Sequence, residues 1–449
     1  MACRKTEKEV PGDHPMNDLL RDLLHELDSP QGRYGMLRLY ADGGQPLAFL
    51  STESRKALDN RLCRMSINVP ALAVSSLTER LRVTGFSDPR AWETFIANDL
   101  DQLTAQVHAD ALTYSQGFVL VWSKDGKPTA TVESPFQCAV IRDPADRSVV
   151  AGIKRFSTKH TTEAYVYLPD RVEHWRSDSP NAAIGGYHLI ETIPHSLGVV
   201  PLVPFDNHRS EIDDLRDLTD ALVKVTLDMV IASHAAGFGR RWVTGVEMVE
   251  KPVLDGYGNP VIADGKRVTE TTTPFNESST AWAIAEAPET KFGSFTESQL
   301  AGFETAVRVL VSQIQAVSAL PSHYLGILTS QPTSADALRA SEASLTARAE
   351  GKQLLFGRSW EQVARLLMVV STATDPGIVR VQWADAATRS VAQESDAVVK
   401  LVQAGILPVS YALAKLGYSD DEIQAIRVSR RADTLDGIGL GVDTGDTLG

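Results

Sequence analysis

Two long amphipathic helical patterns, residues 211–238 and 296–317, bracket a Gly-, Pro- and Thr-rich insert at 239–295, and this layout constrains the chain more than any other feature. In the first, Leu215, Leu218, Leu222, Val225 and Met229 advance in alternating steps of three and four, the seam of a helix that packs lengthwise on another. In the second, Leu300, Phe303, Val307, Leu310, Val311, Ile314 and Val317 do the same. Each has a start signal: Ser210 with Asp213 is a capping-box-like pair, and Thr296 with Gln299 fits the S/T-x-x-E/Q pattern itself. Leu215, Leu222, Met229, Phe303, Leu310 and Val317 are therefore expected as packing positions of two rods. Paired rods with a module at their tip suit a protein that builds a wall or a tube.

At 449 residues the chain exceeds a single core, and its 43% apolar content is ample to bury two to four structural units. The start, MACRKTEKEVPGDHP, is charged and lacks the apolar centre of a signal peptide, and no stretch approaches the roughly eighteen apolar residues of a membrane span. Cys3, Cys63 and Cys138 are odd in number and far apart, which argues against a disulfide framework or a Cys-based zinc site; Cys63 and Cys138 read as small packed hydrophobes. With 44 basic against 57 acidic residues the formal charge is -13, which disfavours tight nucleic-acid binding, because phosphate contacts need a basic footprint. Weak passage of a polyanion along a repulsive surface remains compatible with that charge.

Along the chain, the first third is helical and then turns to strands, an α+β pattern. Leu19 to Leu27 form a short amphipathic helix, Leu72, Leu77 and Leu81 punctuate a second that ends at Gly85, and a third runs from Pro89 to Tyr114. From Gly117, short β-branched or aromatic runs at 118–122, 139–142, 149–156, 164–168, 172–175 and 187–193 predict a meandering antiparallel sheet, with turns at Asp125-Gly126 and Gly185-Gly186. The insert opens with a strand-like RWVTGVEMV and continues through hairpins turning at Asp255-Gly256 and Asp264-Gly265. ALPSHYLGILTSQPTS is too interrupted for a regular element. Thr333 and Asp336 then start a helix running to about Ala373, with Gly351 and Gly357 as kink points. The last sixty residues are helical, with Gly405 and Gly417 as stops and Ser419 with Glu422 as a capping box. The Gly- and Asp-rich tail 433–449 is expected to be disordered.

The chain carries almost no recognisable catalytic motif. No G-x-x-x-x-G-K-[ST], H-E-x-x-H, G-x-S-x-G, G-x-G-x-x-G or C-x-x-C occurs; Gly258 to Lys266 has the wrong spacing for a phosphate loop and reads as a hairpin. Single histidines such as His108 and His234 read as packed or surface residues. His160, Glu163, Glu173 and His174 could meet in the sheet as a metal or acid/base site, although a solvated sheet face has the same composition. Arg427, Arg430 and Arg431 either mimic a recognition helix or complement the macrodipole at the end of the last helix, and the second reading is favoured. No catalytic residue, metal or cofactor is expected.

Four stretches carry a resemblance that composition cannot supply. ANDLDQLTAQVHADALTYSQGFVLVW (97–122), LGVVPLVPFDNH (197–208), ILTSQPTSADALRASEASL (327–345) and QAGILPVSYALAKLGYSDDEI (403–423) together resemble the portal proteins of tailed double-stranded DNA bacteriophages, in the order of wing, entry to the stem, channel loop and crown. None is diagnostic alone, but their order matches the rod-insert-rod layout. The resemblance implies an α+β portal-type subunit: an α+β wing at 1–210, stem helices at 211–238 and 296–317, a small β-containing clip at 239–295, a channel loop at 318–333, further wing with the long helix and a strand at 334–388, and a helical crown at 389–432. It implies a ring of about twelve copies at one capsid vertex of the virion, assembled in the host cytoplasm. Its implied partners are the terminase large subunit, the major capsid and scaffolding proteins, a head-tail adaptor, and double-stranded DNA that passes through with weak contact. The loop has no Lys or Arg, so His323, Tyr324, Thr329, Ser330 and Gln331 are its candidate DNA contacts. Two other classes fit the composition: a head-completion, adaptor or DNA-binding structural protein working through the C-terminal helices, and a soluble enzyme with a dispersed active site in the α+β region.

Overall fold

The computed structural model describes residues 18–46, 67–237, 241–245, 249–253, 260–263, 266–272, 289–294, 301–326, 335–387, 391–416, 418 and 420–439. The chain divides into two compact units, one of residues 1–43, 68–215 and 314–449 and the other of residues 44–67 and 216–313. The secondary structure is mixed helix and sheet, as the α+β pattern predicts.

The first unit opens with α1 (Asp18–Asp28), α2 (Gln31–Ala41) and α3 (Val69–Thr78), followed by β1 (Val83–Phe86), α4 (Pro89–Ile96) and α5 (Leu100–Tyr114). Three expectations are corrected here. α2 lies where no helix was predicted. α3 stops at Thr78 rather than at Gly85, which sits in β1. The single helix expected from Pro89 to Tyr114 is broken at 97–99, where Asp99 adopts a left-handed φ of 54°. Asn98 explains the break: its Nδ2 donates to the carbonyls of Thr94 and Pro128, and its Oδ1 accepts from the Ala130 N–H, so the side chain serves a neighbouring strand.

Eight strands follow: β2 (Gln116–Lys124), β3 (Lys127–Glu133), β4 (Cys138–Arg142), β5 (Val149–Ser157), β6 (Thr162–Tyr167), β7 (Arg171–Ser177), β8 (Tyr187–Pro194) and β9 (Leu202–Asp206). They form two antiparallel sheets instead of one meander, a three-stranded sheet ordered β3-β2-β9 and a five-stranded sheet ordered β4-β5-β6-β7-β8. β3 and β9 were missed in the sequence. β2 and β3 are joined by Asp125-Gly126, both at positive φ, the two-residue turn whose twist matches its strands. Leu20, Leu23, Leu24 and Leu27 share one face of α1 and bury against Ile153, Ala164, Val166 and Trp175 of the five-stranded sheet.

The second unit holds the long helix α6 (Arg216–Gly237), six short strands and most of α7 (Ala301–Ser318). The strands β10 (Arg241–Thr244), β11 (Val249–Pro252), β12 (Ile262–Ala263), β13 (Lys266–Arg267), β14 (Thr269–Thr272) and β15 (Lys291–Ser294) pair in nested order, β10 with β15, β11 with β14 and β12 with β13. In the strand-like RWVTGVEMV, β10 ends at Thr244 and β11 begins at Val249, with 246–248 outside the described residues. Gly245 has φ +79°, and a Cβ there would lie 2.7 Å from the Glu289 carbonyl oxygen, so the chain turns at a point where only glycine fits. β12 and β13 flank Asp264-Gly265; that dipeptide and Asp255-Gly256 lie outside the described residues.

After α7, a 3-10 turn (Ser322–Leu325) precedes α8 (Ala335–Thr372), β16 (Val381–Trp383), α9 (Val391–Gln403), α10 (Val409–Lys415) and α11 (Asp420–Gly439). α8 is one continuous helix through both glycines predicted as kink points. Gly357 permits close approach instead: a Cβ there would stand 3.3 Å from Val381 Cγ1. β16 pairs with β1, closing a strand pair nearly three hundred residues apart. The buried face of α8, with Phe356, Trp360, Val363, Ala364 and Leu367, is the spine of the largest core, which also takes Phe95, Val107, Val119 and Phe205. Trp360 meets Phe95 at 5.3 Å and Phe205 at 4.6 Å, and its indole N–H donates to Nε2 of the fully buried His108 at 2.9 Å. α9 ends before Gly405 as predicted, whereas Gly417 and Ser419 lie outside the described residues. α11 continues to Gly439, beyond the predicted boundary at 433. Arg427, Arg430 and Arg431 are therefore in mid-helix and exposed, and the macrodipole reading of them fails because that effect is confined to the last turn.

Candidate functional site at the roots of the long helices

The approach to α6 is pinned before the helix begins. Ser210 Oγ donates to the Thr113 carbonyl and accepts from the Ile212 N–H, while the Glu211 N–H donates to Leu112 at 2.9 Å. A 3-10 turn at Asp213–Leu215 follows, and α6 starts at Arg216, five residues later than the sequence pattern predicts. The expected Ser210–Asp213 capping box is not formed, because Asp213 turns to Arg33 at 2.6 Å. Residues 207–212 are a fixed turn on the end of α5.

That turn presents Glu211 to α8. Its Oε2 accepts from Arg348 Nη2 at 2.6 Å, and its Oε1 accepts from Lys352 Nζ at 2.7 Å and from the Asn207 amide at 3.2 Å. The glutamate side chain is only 5% exposed. Burial alone would push its carboxyl pKa up; the hydrogen bond and charge of Lys352, the Arg348 charge and the Asn207 amide together hold it below the usual glutamate range. Arg348 Nη1 also donates to the Val317 carbonyl at 2.9 Å, one of the acceptors that the end of α7 leaves without an intrahelical donor. The guanidinium thus bridges two acceptors far apart in sequence through its two terminal nitrogens.

A second buried node holds the 3-10 turn after α7. Arg80, just past α3, donates through Nη1 to the Ala386 carbonyl at 2.7 Å and through Nη2 to Glu342 at 3.1 Å and to the Tyr324 hydroxyl at 3.3 Å. His323 Nε2 lies 3.4 Å from the other Glu342 oxygen, and the His323 and Tyr324 rings meet edge-on at 4.8 Å. Two nodes on α8 therefore clamp the entry to α6 and the exit from α7.

Of the loop residues singled out in the sequence, His323 and Tyr324 are half-buried and come together on the Arg80–Glu342 pair. Thr329, Ser330 and Gln331 lie outside the described residues. Leu215 and Leu222 are buried, whereas Met229, Phe303 and Leu310 are half-buried and Val317 is 37% exposed. Of the predicted seam of Leu215, Leu218, Leu222, Val225 and Met229, Leu215 and Leu222 are buried, together with Thr219, Val223 and Leu227, while Leu218, Val225 and Met229 are half-buried; on α7 the buried residues are Val311, Ile314 and Ser318.

Of the acid/base candidates, His174 Nε2 and Glu163 meet at 2.7 Å, with Arg176 Nε on the same carboxylate at 2.9 Å, while Glu173 turns away to Trp175 and Arg171. His174 stacks on Tyr165 at 4.4 Å. Among the described residues no group of His, Cys, Asp or Glu is arranged to hold a metal, and no helix is long and apolar enough to cross a membrane. Glu211, Arg348, Lys352, Arg80 and Glu342 were missed in the sequence. The one local signal was the pair Arg348 and Lys352, four apart on a helix and so on one face.

The sequence pattern of the family described as phage portal protein, SPP1 Gp6-like, matches residues 74–434, a span that contains both nodes, both long helices and the insert. The chain belongs to this family. As a portal family member it is 28% identical over 409 residues to the portal protein of Mycobacterium phage L5, with 83% of this chain and 80% of the relative covered. It is 27% identical over 408 residues to the portal protein of Mycobacterium phage D29, with the same coverage. Two solved structures are also similar. One is a chain of the neck of the native GTA particle computed with C12 symmetry, 13% identical with a TM-score of 0.42, covering 86% of this chain and 93% of that chain. The other is a chain of the virion of the native gene transfer agent particle, 13% identical with a TM-score of 0.41 and the same coverage. Family membership places the portal reading ahead of the adaptor and enzyme readings.

Proposed function

We propose that this chain assembles as a ring of about twelve copies at one vertex of a phage capsid and forms the channel through which the terminase drives double-stranded DNA in and from which DNA leaves into the tail. What carries the reading is that the residues matched by the family, 74–434, span α6, the nested strand pairs and α7. In this reading the wing takes residues 1–210 and 334–388, the stem 211–238 and 296–317, the clip 239–295, the channel loop 318–333 and the crown 389–432. Leu215 and Leu222 pack inside the chain, and the stem faces of Met229, Phe303, Leu310 and Val317 meet neighbouring subunits; the exposure of Val317 leaves its side chain available for such a contact. The chain carries out no catalysis.

Because His323 and Tyr324 are engaged by Arg80 and Glu342, they root the channel loop, and Thr329, Ser330 and Gln331 supply its weak DNA contacts. At -13 per copy the ring is strongly anionic, which suits a passage that must not retain its cargo. The clip docks the terminase, while capsid, scaffolding and adaptor proteins contact the outside of the ring. Electron micrographs of the purified chain test the reading: rings with a central channel are expected. A strictly monomeric species by light scattering over a range of salt and concentration would overturn it.

A further inference from the structure

An open cavity of about 660 Å³ lies on the first unit, lined by none of the node side chains, and it is basic in a chain that is acidic overall. Arg142 at the end of β4, Arg147 in the turn before β5 and Arg358 on α8 line it together with one carboxylate, Asp206, which pairs with Arg142. Arg142 Nη1 donates to the Arg147 carbonyl at 3.2 Å, so the turn that carries Arg147 is fixed to the cavity wall. The guanidinium groups of Arg147 and Arg358 have no hydrogen-bond or ion-pair partner among the described residues. Between the cations the lining is partly aliphatic: Val150 is 41% and Val199 44% exposed. Two free cations from separate elements beside uncovered aliphatic side chains fit an extended peptide that carries both carboxylates and aliphatic groups. Bare phosphate would leave the two valines exposed to water.

We propose that this cavity is the docking site of residues 440–449 of this chain. That segment, LGVDTGDTLG, lies outside the described residues and has the complementary chemistry: Asp443 and Asp446 for the two free guanidiniums, and Leu440, Val442 and Leu448 for the aliphatic wall. No Lys or Arg follows Arg431, so nothing in the segment repels the cavity. Ten extended residues reach about 35 Å, ample to cross a cavity of this size. The proposal does not depend on ring formation or on DNA passage.

The test uses the full chain with a photoreactive benzophenone amino acid in place of Val150, followed by irradiation, digestion and mass spectrometry. Crosslinks are expected on residues 440–449. Arg147→Glu with Arg358→Glu should lower their yield about tenfold, as expected when exposed attractive pairs become repulsive. Adding Asp443→Arg and Asp446→Arg should restore it, because the attraction is then re-formed with the signs exchanged. Both arginines are exposed, so the variants keep the fold, which circular dichroism checks. Crosslinks to other segments, to another surface of a second copy or to added duplex DNA would overturn the assignment, as would a yield indifferent to the charge reversals.

Discussion

Arg348 on α8 and Glu211 ahead of α6 are 137 positions apart in sequence and meet at 2.6 Å, and the same guanidinium holds the last turn of α7 through the Val317 carbonyl. One side chain therefore connects the turn at 207–212, the last turn of α7 and the helix that follows the loop. Both flanks of the loop, the end of α7 and α8, are thereby held to the turn at 207–212.

The first prediction concerns that carboxylate. Glu211→Gln should leave Arg348 and Lys352 facing a neutral amide in a buried turn and destabilise the unassembled chain by about 3 kcal/mol in urea denaturation. The native carboxyl is held below its ordinary pKa of 4.5. Its stabilisation is therefore complete above pH 4.5 and is lost as the pH falls through the lower native value. The Gln variant should lack this part of the acid sensitivity.

His108 predicts a second, separable pH dependence. Burial lowers its pKa to about 3, so between pH 6.5 and 3 the unfolded chain takes up a proton that the folded chain refuses. Stability should fall across that window by about 1.4 kcal/mol per pH unit from this group alone. His108→Gln retains an acceptor for the Trp360 indole N–H and should flatten the slope between pH 6.5 and 5 while keeping the native near-ultraviolet circular dichroism.

Gly117 marks where β2 leaves α5 at minimal distance: a Cβ there would lie 2.7 Å from the Val107 carbonyl oxygen. Backbone cannot swing aside as a side chain can, so Gly117→Ala should cost about 1–3 kcal/mol, read as a lowered urea midpoint. Gly126→Asn should be far milder, since Asn tolerates a left-handed conformation and no atom lies within 4 Å of a Cβ there.

At the loop, Tyr324→Phe removes one hydroxyl from the Arg80 node and should cost about 1 kcal/mol without preventing assembly. Thr329→Lys with Ser330→Lys adds cations where the chain has none. In a reconstituted packaging assay it should slow translocation with a steep dependence on salt, since each new phosphate contact is electrostatic. Normal packaging by this variant at low salt would remove the loop from the list of DNA contacts.

What could be read from the sequence alone was whatever repeats within one or two turns of chain. Leucines three and four apart gave α1, α6 and α7, six β-branched or aromatic runs located six of the strands, Asp125-Gly126 gave the hairpin, and the order of four stretches indicated the portal family. Everything that joins distant segments was decided by tertiary structure. β1 is a strand because residues 381–383 pair with it, the helix at 89–114 breaks because Asn98 hydrogen-bonds to Ala130, and α8 stays continuous because its buried face packs on strands from the other end of the chain. The buried residues of the first rod coincide with its predicted seam only at Leu215 and Leu222, because periodicity reports which residues share a face and says nothing about which face has a neighbour. Glu211, Arg348, Arg80 and Glu342 look like ordinary surface charges in one dimension. Only folding removes the water around them, and with water removed, opposite charges brought within 3.1 Å become the fixed points of the subunit.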